Sequence, residues 1–257
     1  MKLIDTHAHL QFKAYDPDRD EVVKRNSEEL AAVINVGTNL DTSEKAVGLV
    51  ETVPNFYAAV GLHPHHADQW NNKTLSELET LAKNEKVVAI GEVGLDKHHY
   101  EGYPKPDLES QAKILHQQIE LAKKLKLPVI FHCRDAYDEL FDQVKKYSSK
   151  IMGVVHCFMG SWEQAKKFLD FGFYISFTGN ITYKGNGYIR EIAKKVPEDR
   201  ILTETDAPYL SPQERRGMRN EPVYVKMVAA QITTCRNWSL EKTTAITTQN
   251  AKSLFKI

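Results

Sequence analysis

Cysteine is scarce. The 257-residue chain has 3, at Cys133, Cys157 and Cys235, and no CxxC pair. An odd, sparse set excludes a disulfide framework and fits a reducing compartment. Long apolar runs are missing as well. No run of about eighteen apolar residues occurs, which excludes a transmembrane helix, and the opening MKLIDTHAHL is broken by Asp5 and His7 before it could form a signal peptide. Net charge is absent: 34 Lys and Arg balance 34 Asp and Glu, so no global field steers a membrane surface or nucleic acid toward the protein. Internal repeats, low-complexity tracts and the GxGxxG turn of many doubly wound sheets are also absent. What remains is a soluble, cytoplasmic, monomeric protein, expected as one domain over residues 1–257.

Short β-rich apolar runs are plentiful: LIDTHAH, AAVINVG, FYAAVGLH, VVAIGEVGL, PVIFHC, MGVVHCF, GFYISFTG and RILTETD. Helical patterns lie between most of them. Over residues 107 to 126, Leu108, Ala112, Leu115, Ile119 and Ala122 recur three or four apart, which predicts an amphipathic helix. Ser161 with Gln164 predicts a capping box, and Gly172 the end of that helix. Alternation of this kind predicts an α/β fold, a TIM (β/α)8 barrel, with an open doubly wound sheet as the alternative. SPQERRGMRNEP, residues 211 to 222, reads as a long loop after the last strand.

The polar residues sit at the ends of these runs. His7 and His9 end the first, His63 the third, Glu92 the fourth, His132 the fifth, His156 the sixth, and Glu204 and Asp206 the eighth. In a barrel the C-terminal strand ends converge on the active site, and imidazoles and carboxylates from separate strands suit a divalent metal with open positions. Period-two spacing puts Asp5, His7 and His9 on one strand face. It likewise aligns Val88, Ile90 and Glu92, Ile130 and His132, and Val154 and His156. Cys133 and Cys157, one residue past two of the histidines, are expected to face the helices as packing residues. His65, His66, His98, His99 and His116 lack a strand-end position and read as surface, loop or packing residues.

In order, DTHAHL, GLHPH, GEVGLD, FHCRDA, VHCFMGS, SFTGNITYK and ETDAPYLSP…RGMRNEP resemble the TatD family of metal-dependent deoxyribonucleases, amidohydrolase-like barrel enzymes, over nearly the whole chain. The resemblance implies a binuclear site at the C-terminal face. His7, His9 and Asp206 would hold one ion, Glu92 would bridge, and His132 and His156 would complete the second. One departure is visible: many members follow GLD with Tyr, where this chain has Lys97-His98-His99.

Two divalent ions roughly 3.5–4 Å apart, Mg, Mn or Zn, could share a hydroxide and clamp both oxygens of a phosphodiester. Asp206 and Glu92 are then catalytic, with Glu204 as a proton-handling or orienting group. His63, Arg134, Lys184, Tyr209 and Arg219 are the candidates for substrate contact: a guanidinium can grip phosphate, and an aromatic ring can stack on a base. The resemblance suggests 3′-to-5′ removal of nucleotides from single-stranded DNA, with RNA as a further substrate. Two alternatives stand beside it. One is ester or amide hydrolysis, for example of aminoacyl-tRNA; the other is a non-catalytic nucleic-acid-binding barrel, disfavoured because every ligand position is filled.

Overall fold

The protein is described from a computed structural model covering residues 1–99, 101, 107–147 and 150–257. Its eight strands are β1 (Ile4–Ala8), β2 (Ala32–Val36), β3 (Phe56–Val60), β4 (Val87–Asp96), β5 (Val129–Arg134), β6 (Gly153–Val155), β7 (Tyr174–Phe177) and β8 (Ile201–Thr203). Each pairs in parallel with the next in chain order. The ring closes just past β8, where His9 N–H donates to Ala207 O at 2.7 Å and Asp206 N–H to His7 O at 2.8 Å. The described helices are α1 (Arg19–Glu29), α2 (Leu40–Glu51), α3 (Asn72–Leu81), α4 (Leu108–Leu125), α5 (Tyr137–Val144), α6 (Trp162–Asp170), α7 (Gly187–Lys195), α8 (Val225–Arg236) and α9 (Leu240–Phe255). This is a TIM barrel, with helices ringing a parallel sheet.

Strand alternation builds two apolar layers. Ile4, Ile34, Val88, Ile130, Val154, Tyr174 and Leu202 fill the barrel interior. Val33, Val60, Val129, Phe131, Val155, Ile175 and Phe177 point outward, into the layer shared with Leu115, Ile119, Ala122 and other helix residues. Each large side chain buried there contributes about 1.5–3 kcal/mol. The predicted helix starts and stops are present. Asp107 caps α4 through Glu109 and Ser110 N–H, and Ser161 and Gln164 form the reciprocal box of α6. Gly172, at φ +85°, takes the left-handed conformation that ends the α6 turn.

The strands depart from strict alternation in three places. β4 carries register slips against both neighbours, so Val88 and Ala89 face inward, Ile90 faces outward, and the expected row Val88–Ile90–Glu92 is broken. A slip between Asp5 and Ala8 likewise separates Asp5 from His7: the Asp5 carboxylate accepts from Thr205 N–H and Oγ1–H instead of facing the mouth. Past β6 the chain leaves the extended conformation at Cys157, φ +45°. Its Sγ therefore lies 3.5 Å from Thr178 Oγ1 and 3.6 Å from Asn180 Nδ2, at the mouth and not among the helices as predicted. Cys133 does occupy the outer apolar layer. Several residues expected at strand ends lie beyond them: β3 stops at Val60, before His63, β6 at Val155, before His156, and β8 at Thr203, before Glu204 and Asp206.

Candidate metal centre

At the C-terminal mouth, β1, β4, β5 and the turns after β6 and β8 bring six donors together. His7 Nε2 and His9 Nε2 are 3.2 Å apart. Asp206 Oδ1 lies 3.8 Å from the first and 3.3 Å from the second. The two oxygens of Glu92 face opposite ways. Oε2 is 3.4 Å from His7 Nε2 and 4.0 Å from His9 Nε2, whereas Oε1 is 2.7 Å from both His132 Nδ1 and His156 Nε2. The rings of His7 and His156 stack at 4.1 Å, joining the two halves.

Groups behind the donors fix how they point. His9 Nδ1 is 2.6 Å from Val36 O; a carbonyl only accepts, so Nδ1 carries a proton and Nε2 is the nitrogen turned to the cluster. His156 Nδ1 lies 3.3 Å from Glu204 Oε1, which also accepts from Cys157 N–H at 2.7 Å, while Glu204 Oε2 accepts from Ser176 Oγ–H at 2.7 Å. Carboxylates placed behind imidazoles in this way set ring orientation and raise ligand basicity. Asp96 holds the far side of His132, its Oδ2 3.1 Å from His132 Nε2 and 2.8 Å from His65 Nε2. The sequence reading missed His65 and Asp96. The signal was present, since Asp96 continues β4 four residues past Glu92 and His65 follows His63 in GLHPH.

The electrostatics favour bound positive charge. Burial pushes the Glu92 pKa up, but His156, His63 and His132 outweigh it and hold the carboxylate well below its ordinary range. Asp206 is lowered in the same way, burial being overcome by the His9 hydrogen bond and the His7 charge. His63 is driven well below its ordinary value, first by burial and then by His132. His156 moves up despite burial because Glu92 and Glu204 draw a proton onto it. Ionised carboxylates and imidazoles crowded to 3.2 Å, with His7 Nδ1 buried and without a hydrogen-bond partner, form a donor set that suits divalent cations. Among the described residues, four overlapping groups could each hold an ion: His7–His9–Glu92, His7–His156–Asp206, His63–Glu92–His132 and His63–His65–Asp96.

The substrate candidates divide. His63 joins the donors, its Nε2 3.7 Å from Glu92 Oε1. Arg134 is exposed at the end of β5, and Tyr209 is 56% exposed near the mouth. Lys184 is exposed in the loop after β7, its N–H donating to Gln213 Oε1. Arg219, the last candidate, follows β8 and is paired with Asp18 of the β1–α1 connection. Its guanidinium makes two hydrogen bonds to Asp18, at 2.7 and 2.6 Å, and lies 4.4 Å over the Tyr15 ring. His98 Nδ1 is 3.2 Å from Asp135 Oδ2, and His116 binds Gln143. Burial pushes the Cys157 thiol up to about 12, and its Sγ is turned to Thr178 and Asn180.

A TIM barrel with histidine and carboxylate donors gathered at its C-terminal mouth is the architecture of a metal-dependent hydrolase. The family model described as TatD related DNase matches residues 4–256, and the chain belongs to that family. Its relatives include the uncharacterized metal-dependent hydrolase YabD of Bacillus subtilis, 41% identical over 99% of both chains. The 3′-5′ ssDNA/RNA exonuclease TatD of Erwinia tasmaniensis is 34% identical, over 99% of this chain and 100% of that one. The crystal structure of YJJV, a TatD homolog from Escherichia coli, superposes with a TM-score of 0.92 at 31% identity, covering 99% of this chain and 98% of that one. The protein is thus an ester-cleaving hydrolase of the metal-dependent kind. Among the described residues no helix is long and apolar enough to cross a membrane.

Proposed function

We propose that the protein is a two-ion phosphodiesterase that removes nucleotides from the 3′ end of single-stranded DNA, and of RNA. The observation that carries this reading is the splayed carboxylate of Glu92. Oε2 is turned to His7 and His9, and Oε1 to His132 and His156, so one side chain can bridge two cations. The Erwinia relative's exonuclease name supports the substrate class.

In this reading His7, His9 and Asp206 would hold one ion, and His132 and His156 the other. Divalent cations bound there would supply a water of lowered pKa and neutralise charge on the phosphodiester. Asp206, ionised and with 16% of its side chain accessible, is the proton acceptor for the attacking water. Glu204 keeps His156 aimed, and Asp96 does the same for His132. His63, beside Glu92, and Arg134, on the rim, grip phosphate oxygens in this reading.

The test uses 5′-labelled single-stranded DNA after chelation and add-back of Mg²⁺, Mn²⁺ or Zn²⁺, with products resolved by length. Stepwise shortening from the 3′ end that requires added metal is the expected result. An intact strand with every ion, in protein shown to bind metal, overturns it.

A further inference from the structure

Beside the metal centre, between the turn after β1 and the turn after β8, lies a cleft of about 330 Å³ that the mechanism above does not use. Phe12, Tyr209, Gln11, Lys13 and Lys45 line it. Both aromatic walls are tied to donors. The Phe12 ring lies flat on His9, 4.5 Å between centroids at 8°, and Tyr209 N–H donates to Asp206 O at 2.9 Å. The cleft therefore begins one ring thickness from the cluster. Phe12 and Tyr209 meet at 68° with centroids 6.4 Å apart, forming a corner with a flat wall and an edge-on wall. Tyr209, 56% exposed, is among the most exposed large apolar-bodied side chains described.

Gln11, also in the lining, is held by the barrel. It is 5% exposed, its Nε2–H donates to Val36 O at 2.7 Å, and its Oε1 is buried with no hydrogen-bond partner. Lys13 and Lys45 add positive charge, part of which Asp41 offsets by pairing with Lys45 at 2.7 Å. Aromatic faces and flanking lysines beside a phosphodiester-cleaving centre match one ligand chemistry: a planar heterocycle carried on a phosphate backbone.

We propose that the Phe12–Tyr209 cleft is the stacking subsite for a nucleobase flanking the scissile phosphate. The inference rests on the nuclease reading above and adds to it the place where the strand is gripped. Stacking tolerates any base, so the subsite holds the strand end in register without choosing a sequence.

The experiment compares two 5′-labelled oligonucleotides that differ only at the last two 3′ nucleotides, which carry bases in one and are abasic in the other. Wild type, Tyr209→Ala and Tyr209→Phe are assayed on both in saturating metal, with metal content and thermal unfolding measured on each. Loss of the bases is expected to raise the wild-type KM about tenfold. In Tyr209→Ala, KM for the normal strand rises and most of the abasic penalty disappears; Tyr209→Phe keeps the penalty. An abasic penalty equal in wild type and Tyr209→Ala, or absent from a wild type that shortens both strands, overturns the subsite and leaves the nuclease reading standing. A metal-loaded wild type that leaves the normal strand intact overturns both.

Discussion

Glu92 Oε1 and His156 Nε2 meet at 2.7 Å although β5 lies between β4 and β6, the strands that deliver them. A register slip makes this possible by turning Glu92 into the barrel mouth after Ile90 has faced outward. Since Glu92 touches both halves of the donor cluster, its loss should affect both. In Glu92→Ala, bound metal measured by atomic emission should fall, and hydrolysis should drop by more than about a hundredfold. The circular dichroism of the barrel should persist, because Glu92 contributes no part of the apolar layers. Undiminished turnover with metal present contradicts the assignment.

Glu204 distinguishes charge from packing. Its oxygens accept from Cys157 N–H, Ser176 Oγ–H and His156 Nδ1. In Glu204→Gln the amide oxygen can keep Cys157 and His156 while its NH₂ donates to Ser176, so the fold should hold. Metal affinity should weaken by about 10–100-fold, as for other carboxylates placed behind imidazole ligands. Glu204→Ala instead strands buried donors, and urea unfolding should show a further loss of about 1–3 kcal/mol. Equal metal affinity in wild type and Glu204→Gln would remove the contribution of the Glu204 charge.

The division between what was and was not legible in the sequence follows the same physics. Helix α4 and the α6 box were readable because their signals are local: a 3.6-residue apolar period and a capping pair three residues apart. His132 and His156 were readable because Ile130 and Val154 keep regular alternation beneath them. Alternation misled wherever the backbone slipped, as at Asp5, Ile90 and Cys157. The ion pair of Arg219 with Asp18 was not legible. It joins segments far apart in the chain, through loops that no period describes.

Gly94 shows how closely the strands must pass. A Cβ there, at φ +159°, would lie 1.9 Å from His132 O, on the strand that presents His132 to the cluster. Gly94→Ala should destabilise the protein by more than about 2 kcal/mol in urea unfolding and reduce bound metal along with it. Gly48, within α2, is the matched control: a Cβ there meets nothing within 4 Å. Gly48→Ala should be neutral or stabilising by up to about 1 kcal/mol. Comparable losses in both variants would refute the strand-contact argument.

Chelation should lower stability as well as activity. Cations that bind only the folded barrel add RT ln(1 + [L]/Kd), about 4 kcal/mol at a thousandfold excess over Kd. The melting temperature should therefore fall with EDTA and recover when the metal is restored, and the shift should vanish in Glu92→Ala. A chelator shift of the same size in that variant would place the stabilising ion elsewhere.

Arg219 and Asp18 give a prediction of opposite sign to a nucleic-acid contact. The Arg219 hydrogen bonds hold the Asp18 carboxyl below its ordinary pKa, outweighing the slight opposing effect of burial. A depressed folded pKa means the pair's contribution is fully present above the unfolded value, about 3.9, and is lost as pH falls through the lower folded value. Both side chains keep solvent access, 27% and 30%, so screening limits the contribution to about 1 kcal/mol. Urea unfolding should show Asp18→Asn less stable than wild type at neutral pH, with the gap closing below about pH 3.9. Arg219→Ala should lose similar stability while the salt dependence of strand binding stays as in wild type. A shallower salt slope in Arg219→Ala, with stability unchanged, would return Arg219 to the substrate-binding surface.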